Sequence, residues 1–286
     1  MSPKRVRTLA RERGRGEERP RTLYGLRPVR DALRAGRRTI EEVWVLSGRG
    51  DPALAEVVEA AERARAPLSR ADRSRLTELA GSPDHQGAVL RAGPLPLLPL
   101  ETVAGESPPG GDRGSGGDGR PAVSTQTLLV LDGIVDPRNF GALCRSALAL
   151  GCRGVVFPKD RSAGPTPAAA KAAAGALEFL PLARVTNLAR ALESLKEWGW
   201  WIVGLAEEGE QSPGEIRFDA PAALVVGGEG SGLRRLVRER CDHLMRIETN
   251  PDFPTLNASV AGAVALYEIQ RKRRAGIEGG GGGEPS

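Results

Sequence analysis

Apolar residues recur along the first third of the chain in short continuous runs and in helical stripes. The run VWVL at residues 43–46 predicts a strand, and a second run, AVL, follows at residues 88–90. Between them, apolar residues take the spacing i, i+3, i+4, i+7 that marks one face of a helix: Leu54, Val57, Val58 and Ala61. This pattern predicts a small α/β domain over residues 21–92.

The second half of the chain repeats the alternation over a longer stretch. Short apolar runs predict strands at residues 128–131, 154–157, 200–205, 222–226 and 244–247. Helical stripes lie between them, as at Leu188, Ala191, Leu192 and Leu195. Strands that alternate with helices indicate a mostly parallel sheet covered on both faces, so we expect a larger α/β domain over residues 123–274. Ligands of such sheets bind beyond the carboxyl ends of the strands.

Segments poor in apolar residues separate and flank these domains. Residues 93–122 hold 8 Gly and 6 Pro, which is typical of a flexible linker, and we expect disorder over residues 1–20 and 275–286. Residues 1–38 carry 13 Lys and Arg against 4 Asp and Glu, whereas the whole chain has a net charge of +5. A basic arm on a weakly acidic body favours a polyanionic partner such as nucleic acid, with a merely solvated tail as the alternative.

The composition excludes several classes of protein. No apolar run approaches the ~20 residues that span a bilayer, and the first twenty residues lack the apolar centre of a secretory signal. Three cysteines without a CxxC pair exclude a disulfide scaffold and a structural zinc site, and they fit a reducing compartment. The only two histidines, His85 and His243, argue against a histidine-rich metal site or a histidine-based hydrolase. We therefore expect a cytoplasmic protein without a membrane segment or a metal ion.

Polar residues follow the first predicted strand of the larger domain, in the motif LDGIVDPRNFGALCRSALALG at residues 131–151. Asn139 and Arg145 are six residues apart, so both face the strand ends only if Asn139 lies in the loop that enters the helix. The alternative is that Asn139 is the helix N-cap and Arg145 a surface residue. The apolar neighbours Cys144 and Ala147 favour a half-buried Arg145.

A glycine-rich turn follows a later strand, in the motif ALVVGGEGSGLRRL at residues 223–236. It does not complete the dinucleotide fingerprint GxGxxG, because Leu233 stands where the last glycine is required after Gly228 and Gly230. A nicotinamide-dependent oxidoreductase is therefore disfavoured. A tight turn would explain the glycines but not Glu229, which stands at the mouth of a buried strand.

The third motif occupies residues 245–274. A strand ends near Ile247, and a proline-containing loop leads to Thr255, Leu256 and Asn257. The helix that follows is rich in small residues, which indicates close approach of another backbone, within the subunit or across a dimer. These small residues are Ala258, Ser259, Ala261, Gly262 and Ala263. An alanine-rich helix that reflects only composition is the alternative.

In order and spacing, the three motifs resemble the SpoU family of RNA ribose 2'-O-methyltransferases, most closely the branch that modifies a guanosine in 23S ribosomal RNA. YGLRPVRDAL at residues 24–33 and DHQGAV at residues 84–89 resemble the small substrate-binding domain of that family. PKDRSA at residues 158–163 and PLARVTNLARAL at residues 181–192 match its catalytic domain. The resemblance implies an α/β protein with a small L30e-like RNA substrate-binding domain and a parallel-sheet methyltransferase domain containing a deep trefoil knot.

The same resemblance implies an activity and a site. It implies S-adenosylmethionine-dependent 2'-O-methylation of 23S rRNA by a homodimer. The active-site positions are Asn139, Arg145, Glu229 and Asn257, and the positions that hold the cofactor are Gly227, Ile247, Thr255 and Leu256. Glu248 and Pro254 depart from the usual sequence of the third motif, and Arg27 stands where relatives often have histidine.

Two alternatives keep the same fold. One is a methyltransferase that acts on transfer RNA, against which the dedicated first domain argues. The other is a non-catalytic RNA-binding protein, against which the retention of all four active-site positions argues.

Overall fold

The computed structural model describes residues 21–48, 50–105, 126–252 and 255–279. The chain divides into two compact units at Pro94 and Leu95, each with its own sheet. The predicted basic arm at residues 1–20 lies outside the described residues, as does most of the predicted linker. Within the described part of the chain, no helix has the length and apolar character needed to cross a bilayer.

The first unit is a four-stranded sheet with helices on both faces. In chain order its elements are β1 (Arg21–Tyr24), α1 (Leu26–Ala35), β2 (Ile40–Leu46), α2 (Pro52–Arg63), β3 (Leu68–Ala71), α3 (Arg73–Ala80) and β4 (Ala88–Ala92). The strand order is β1-β4-β2-β3, with β4 antiparallel to both neighbours and β3 parallel to β2. One face packs on α1 and α2, whereas Trp44 and Val89 on the other face pack on Leu76 of α3. The predicted strands and helical stripe of this unit are confirmed.

The turn before β4 is built on a buried histidine. Nδ1 of His85 accepts a hydrogen bond from the Gly87 N–H at 3.0 Å, and Nε2 lies 3.3 Å from the Thr77 hydroxyl. Gln86 and Gly87 both take left-handed backbone conformations, and Gln86 Oε1 accepts a hydrogen bond from the Leu26 N–H. Burial lowers the pKa of His85, so the folded protein holds a neutral imidazole whose Nδ1 is an acceptor.

The second unit contains a six-stranded, fully parallel sheet in the order β10-β8-β9-β5-β6-β7. Its elements are α4 (Leu100–Ala104), β5 (Thr127–Asp132), α5 (Pro137–Ala149), β6 (Gly154–Pro158), α6 (Pro167–Ala173), α7 (Ala176–Phe179), β7 (Leu182–Val185), α8 (Leu188–Glu197), β8 (Trp201–Leu205), β9 (Ala222–Gly227), α9 (Arg235–Arg238), β10 (His243–Met245) and α10 (Ala258–Gly279). The five predicted strands are confirmed. β7 was not predicted, because only its first two residues are buried. The knot and the L30e-like character of the first unit stay predictions.

Residues 95–105 belong to the second unit, whereas the sequence pattern predicts a linker there. Leu98 N–H donates to the Leu182 carbonyl at 2.8 Å, which extends the sheet beyond β7. At the end of α4, the Arg153 guanidinium donates to the Val103 carbonyl at 2.9 Å. The prediction fails because this Pro-rich segment carries apolar side chains that become buried: Leu95, Val103 and Ala104. At the other end of the unit, α10 continues to Gly279 rather than ending at the predicted boundary.

The small residues of α10 permit close packing within the second unit. A Cβ atom on Gly262 would lie 2.5 Å from Leu143 Cδ2, so glycine is needed for α10 to approach α5 this closely. Ala265 is fully buried, together with Leu266 and Ile269. The close approach predicted for this helix is therefore found within the subunit.

We predict that the stability of the first unit falls as the pH is lowered below about 6.5, the ordinary pKa of histidine. Burial lowers the pKa of His85 in the folded protein, so as the pH falls the unfolded chain binds a proton at His85 before the folded chain does. The free energy of unfolding therefore decreases as the pH falls. The measurement is the melting temperature of the full chain against pH. The control is His85→Asn, whose amide oxygen can accept the Gly87 N–H at any pH. A constant difference between the two proteins at all pH values would contradict the prediction.

Candidate active site

Two loops meet at the carboxyl edge of the second sheet, where the sequence analysis expects a ligand. The loop after β5 and the loop after β9 are in van der Waals contact, since a Cβ on Gly228 would lie only 2.5 Å from the Gly133 carbonyl oxygen. The second loop also folds back on itself. Gly232 N–H donates to the Gly228 carbonyl at 2.9 Å, and a Cβ on Gly227 would lie 2.3 Å from the Gly232 backbone. Glycine is therefore required here by the packing of the loops.

A buried carboxylate that the sequence analysis did not select anchors these loops. Asp132, the last residue of β5, is fully buried. Its Oδ2 accepts a hydrogen bond from the Arg234 N–H at 2.8 Å, and its Oδ1 forms an ion pair with Arg234 Nε. The loop after β9 is thereby fastened to the end of the neighbouring strand. An aspartate that ends the apolar run LLVL is the signal that could have identified it.

Three of the predicted site residues form a single hydrogen-bonded group, here called the polar cluster: Asn139, Glu229 and Asn257. Glu229 Oε1 accepts from Asn139 Nδ2 at 2.9 Å and from Asn257 Nδ2 at 2.5 Å. Asn257 Nδ2 also lies 3.1 Å from Asn139 Oδ1. At its other end, Asn257 Oδ1 accepts from the Ser259 N–H at 2.9 Å and caps α10.

The structure places Asn139 differently from both sequence-based alternatives, whereas Arg145 is a surface residue, as the second alternative states. Asn139 is the third residue of α5 and is buried, so it is neither in the entering loop nor the N-cap. The cap is Asp136, whose side chain accepts the Arg138 N–H at 2.8 Å. Arg145 is exposed, so the prediction of a half-buried side chain is wrong. Six helical residues correspond to a rotation of about 240°, so Arg145 points away from Asn139.

Arg145 therefore does not join the polar cluster within one subunit. Among the residues that the structure describes, none forms a hydrogen bond or an ion pair with its side chain. Arginine is protonated at all physiological pH values, so this is an exposed cation with its full hydrogen-bonding capacity.

Three of the four residues predicted to hold the cofactor, all but Ile247, lie within two residues of a member of the polar cluster in the sequence. Gly227 ends β9, and Ile247 follows β10 and packs partly on the main core. Thr255 and Leu256 are exposed and directly precede Asn257, whose bond to Glu229 brings this segment to the loop after β9. The side chain of Leu256 is 42% exposed.

Cysteine and histidine side chains do not contribute a nucleophile or base to this site. Burial raises the pKa of Cys144, and it raises those of Cys152 and Cys241 to about 12, so the thiols stay protonated. His243 lies on β10, where Nδ1 is 2.8 Å from Gln211 Oε1. The polar cluster contains only amides and one carboxylate, groups that orient a hydroxyl by hydrogen bonding.

We predict that Asp132→Ala releases the loop after β9. The Arg234 N–H loses its acceptor, whereas the guanidinium, 38% exposed, regains water; the expected loss is therefore about 1–3 kcal/mol of unfolding free energy. Urea unfolding measures this loss, and trypsin cleavage after Arg234 reports the release of the loop. The control is Asp219→Ala, which breaks an exposed ion pair with Arg217. Equal stability and equal cleavage in both variants would refute the anchoring role.

Comparison with known proteins identifies the family. Residues 126–267 match the SpoU rRNA Methylase family, and residues 22–98 match the family of RNA 2'-O ribose methyltransferase substrate binding. The chain is 41% identical over 252 residues to the 23S rRNA (guanosine-2'-O-)-methyltransferase RlmB of Ralstonia nicotianae, covering 88% of this chain and 95% of the relative. It is 39% identical over 254 residues to the protein of the same name from Pseudomonas aeruginosa, covering 88% and 96%.

A solved structure has the same fold. The SpoU methyltransferase AviRb from Streptomyces viridochromogenes, in complex with AdoMet, superposes with a TM-score of 0.71 at 23% identity, covering 90% of this chain and 91% of that one. The two domain matches occur in the predicted order, and the 41% identity extends over 88% of the chain. The chain belongs to the SpoU family of methyltransferases.

Proposed function

We propose that this protein transfers a methyl group from S-adenosylmethionine to the ribose 2'-hydroxyl of a guanosine in 23S ribosomal RNA. The observation that carries the proposal is the polar cluster, in which Asn139, Glu229 and Asn257 are joined at the carboxyl edge of the sheet. Its presence argues against a non-catalytic RNA-binding protein. Identity of 41% to a relative named for 23S rRNA, together with the substrate-binding domain at residues 22–98, argues for ribosomal over transfer RNA.

The residues beside the cluster fit S-adenosylmethionine. An adenine ring has apolar faces and a polar edge, so it is held by apolar side chains and backbone groups. Leu256 and the partly buried Ile247 supply the apolar side chains, and the backbone at Gly227, which ends β9 two residues before Glu229, supplies the backbone groups. The hydroxyl of Thr255 is exposed on the same segment. When bound, S-adenosylmethionine supplies an electrophilic methyl group attached to a positively charged sulfur.

The polar cluster orients the ribose hydroxyl. Both asparagine amides bond to Oε1 of Glu229, which holds the carboxylate in one orientation. No donor among the described residues bonds to its other oxygen, Oε2, which is available to accept the hydrogen bond of a bound hydroxyl. Alignment of this kind is worth about 7–11 kcal/mol, whereas a general base contributes ~10²–10⁴-fold. A site without a catalytic histidine is therefore sufficient.

Arg145 holds the phosphate next to the target ribose. A free guanidine base is excluded chemically, because arginine stays protonated, and its planar fork matches two phosphate oxygens. The hydroxyl proton is lost late in the reaction, to the Glu229 carboxylate whose Oε2 accepts the hydrogen bond of that hydroxyl.

We predict that Arg145→Ala lowers methyl transfer to 23S rRNA by about 10²-fold or more and leaves S-adenosylmethionine binding unchanged. Arg145→Lys restores little activity, because lysine keeps the charge without the planar fork. Transfer of a radiolabelled methyl group measures the activity, and calorimetry measures cofactor binding. Cofactor affinity that falls in proportion to activity would place Arg145 in the cofactor site instead.

We also propose that the protein is a homodimer through α10 and α5. One face of α10 exposes an apolar stripe at the spacing i, i+4, i+7: Val260 (48% exposed), Val264 (38%) and Tyr267 (56%). The opposite face buries Leu266 and Ile269 in the core of its own unit. The partner that covers this stripe is a second copy of the chain. Arg145 projects from α5 away from the polar cluster of its own subunit, so a second copy also supplies the arginine that this cluster lacks.

We predict that the wild-type protein sediments as a dimer, twice the chain mass of 30.3 kDa, and that Val264→Asp yields inactive monomers. A charge in the middle of an apolar contact costs too much to desolvate. The control is Leu236→Asp, which changes an exposed leucine on α9. Ala265 is unsuitable for such a test because it is buried in its own subunit. A wild-type monomer that methylates RNA at micromolar concentration would refute the proposal.

A further inference from the structure

Several cations in the described part of the second unit have a carboxylate partner. Seven form ion pairs with Asp or Glu: Lys196, Arg217, Arg234, Arg235, Arg238, Arg240 and Arg271. Arg138, Lys159 and Arg161 differ from these. All three are exposed, and within the described ranges no residue forms a hydrogen bond or ion pair with their side chains. We call these three residues the basic rim.

The basic rim lies in the first turn of α5 and on the loop that follows β6, at the carboxyl edge that holds the polar cluster. Ala163 N–H donates to the Ile134 carbonyl at 2.9 Å, which joins the loop after β6 to the loop after β5. That loop in turn contacts the loop after β9 at Gly228, next to Glu229. Arg138 directly precedes Asn139 of the polar cluster, and Lys159 and Arg161 follow β6, which lies about 4.8 Å from β5 in the sheet.

The charges around the rim leave it positive. Asp160 is exposed on the same loop, between two of the cations. Asp136 is also exposed, but its side chain accepts the Arg138 N–H as the cap of α5. The basic rim therefore has three positive charges and only two carboxylates beside it. One of these carboxylates, Asp136, already accepts a hydrogen bond from the backbone.

The backbone at Arg161 is strained. Its φ of 56° lies in the left-handed region, which is unfavourable for a residue with a side chain. The bond between Ala163 N–H and the Ile134 carbonyl, two residues later, holds the loop in this conformation. Strain of this kind is found more often at functional sites than elsewhere, and here its result is a guanidinium exposed to solvent.

We propose that the basic rim binds phosphates of the RNA strand on one side of the target ribose. The inference rests on the proposed function, because it requires an RNA strand to reach the polar cluster. Phosphates are the anions that such a strand presents repeatedly, and exposed Arg and Lys bind them without reading sequence. The rim positions the strand, and Arg145 contacts the reacting nucleotide. The second unit thus has an RNA-binding surface of its own, independent of the substrate-binding unit.

The test is the salt dependence of RNA binding by the full-length triple variant Arg138→Ala, Lys159→Ala, Arg161→Gly. Glycine replaces Arg161 because it accepts the left-handed backbone without strain. Binding of a mixed-sequence single-stranded RNA is measured by fluorescence anisotropy at several salt concentrations. Each phosphate contact contributes a slope of about 0.7 on a single strand, so three contacts should reduce the slope by about 2. The control, Arg217→Ala, removes an exposed arginine that is ion-paired elsewhere and should leave the slope unchanged.

The triple variant should also show a raised KM for RNA, with kcat at saturating RNA and S-adenosylmethionine affinity close to those of the wild type. A salt slope equal to that of the control would overturn the proposal. Failure of the proposed function has a different signature. In that case wild-type protein transfers no methyl group to 23S rRNA, whatever the salt slopes of the variants.

Discussion

Glu229 accepts hydrogen bonds from Asn139 and Asn257, so one carboxylate oxygen holds together three segments that are distant in the chain. Asn139 belongs to α5, Glu229 to the loop after β9, and Asn257 to the start of α10. Hydrogen bonds to a charged group are worth about 1.5–3 kcal/mol each, more than neutral ones. Without this bond the start of the final helix would no longer be tied to the loop after β9, although the rest of that helix stays packed in the core.

The loops around the cluster are held by packing as well as by polar contacts. Gly228 lies against the Gly133 carbonyl, and Asp132 binds Arg234 through both backbone and side chain. An active site that works by alignment requires such rigid support, because a displacement of an ångström removes much of its advantage. Close backbone packing and a buried ion pair therefore support the edge of the sheet that holds the polar cluster.

Much of the fold could be predicted because buried parallel strands are nearly uniform apolar runs. The runs that became β5, β6, β8 and β9 are of this kind, whereas β7 buries only two residues and gave no signal. Residues 95–105 were misassigned because proline and glycine content describes the backbone and does not reveal that a leucine will be buried by a distant strand.

The candidate site could be predicted as a set of residues but not as an arrangement. Motif order selected Asn139, Glu229 and Asn257, which the structure brings together. The orientation of α5 could not be derived, because Asp136 and Asn139 are both good N-caps and the sequence does not say which one begins the helix. That choice decides whether Arg145 faces the cluster or projects from the subunit. Asp132 was missed because its partner, Arg234, is about a hundred residues away.

The side-chain amide of Asn257 makes two different contacts, one through its oxygen and one through its nitrogen. Its oxygen caps α10, and its nitrogen donates to Glu229. Aspartate would cap the helix equally well, but its second oxygen would then oppose the Glu229 carboxylate at hydrogen-bonding distance. Spontaneous deamidation, the ageing reaction of asparagine, would make that change in the intact protein. A molecule damaged at this single atom would keep its final helix and its fold, and it would lose the contact that assembles its active site.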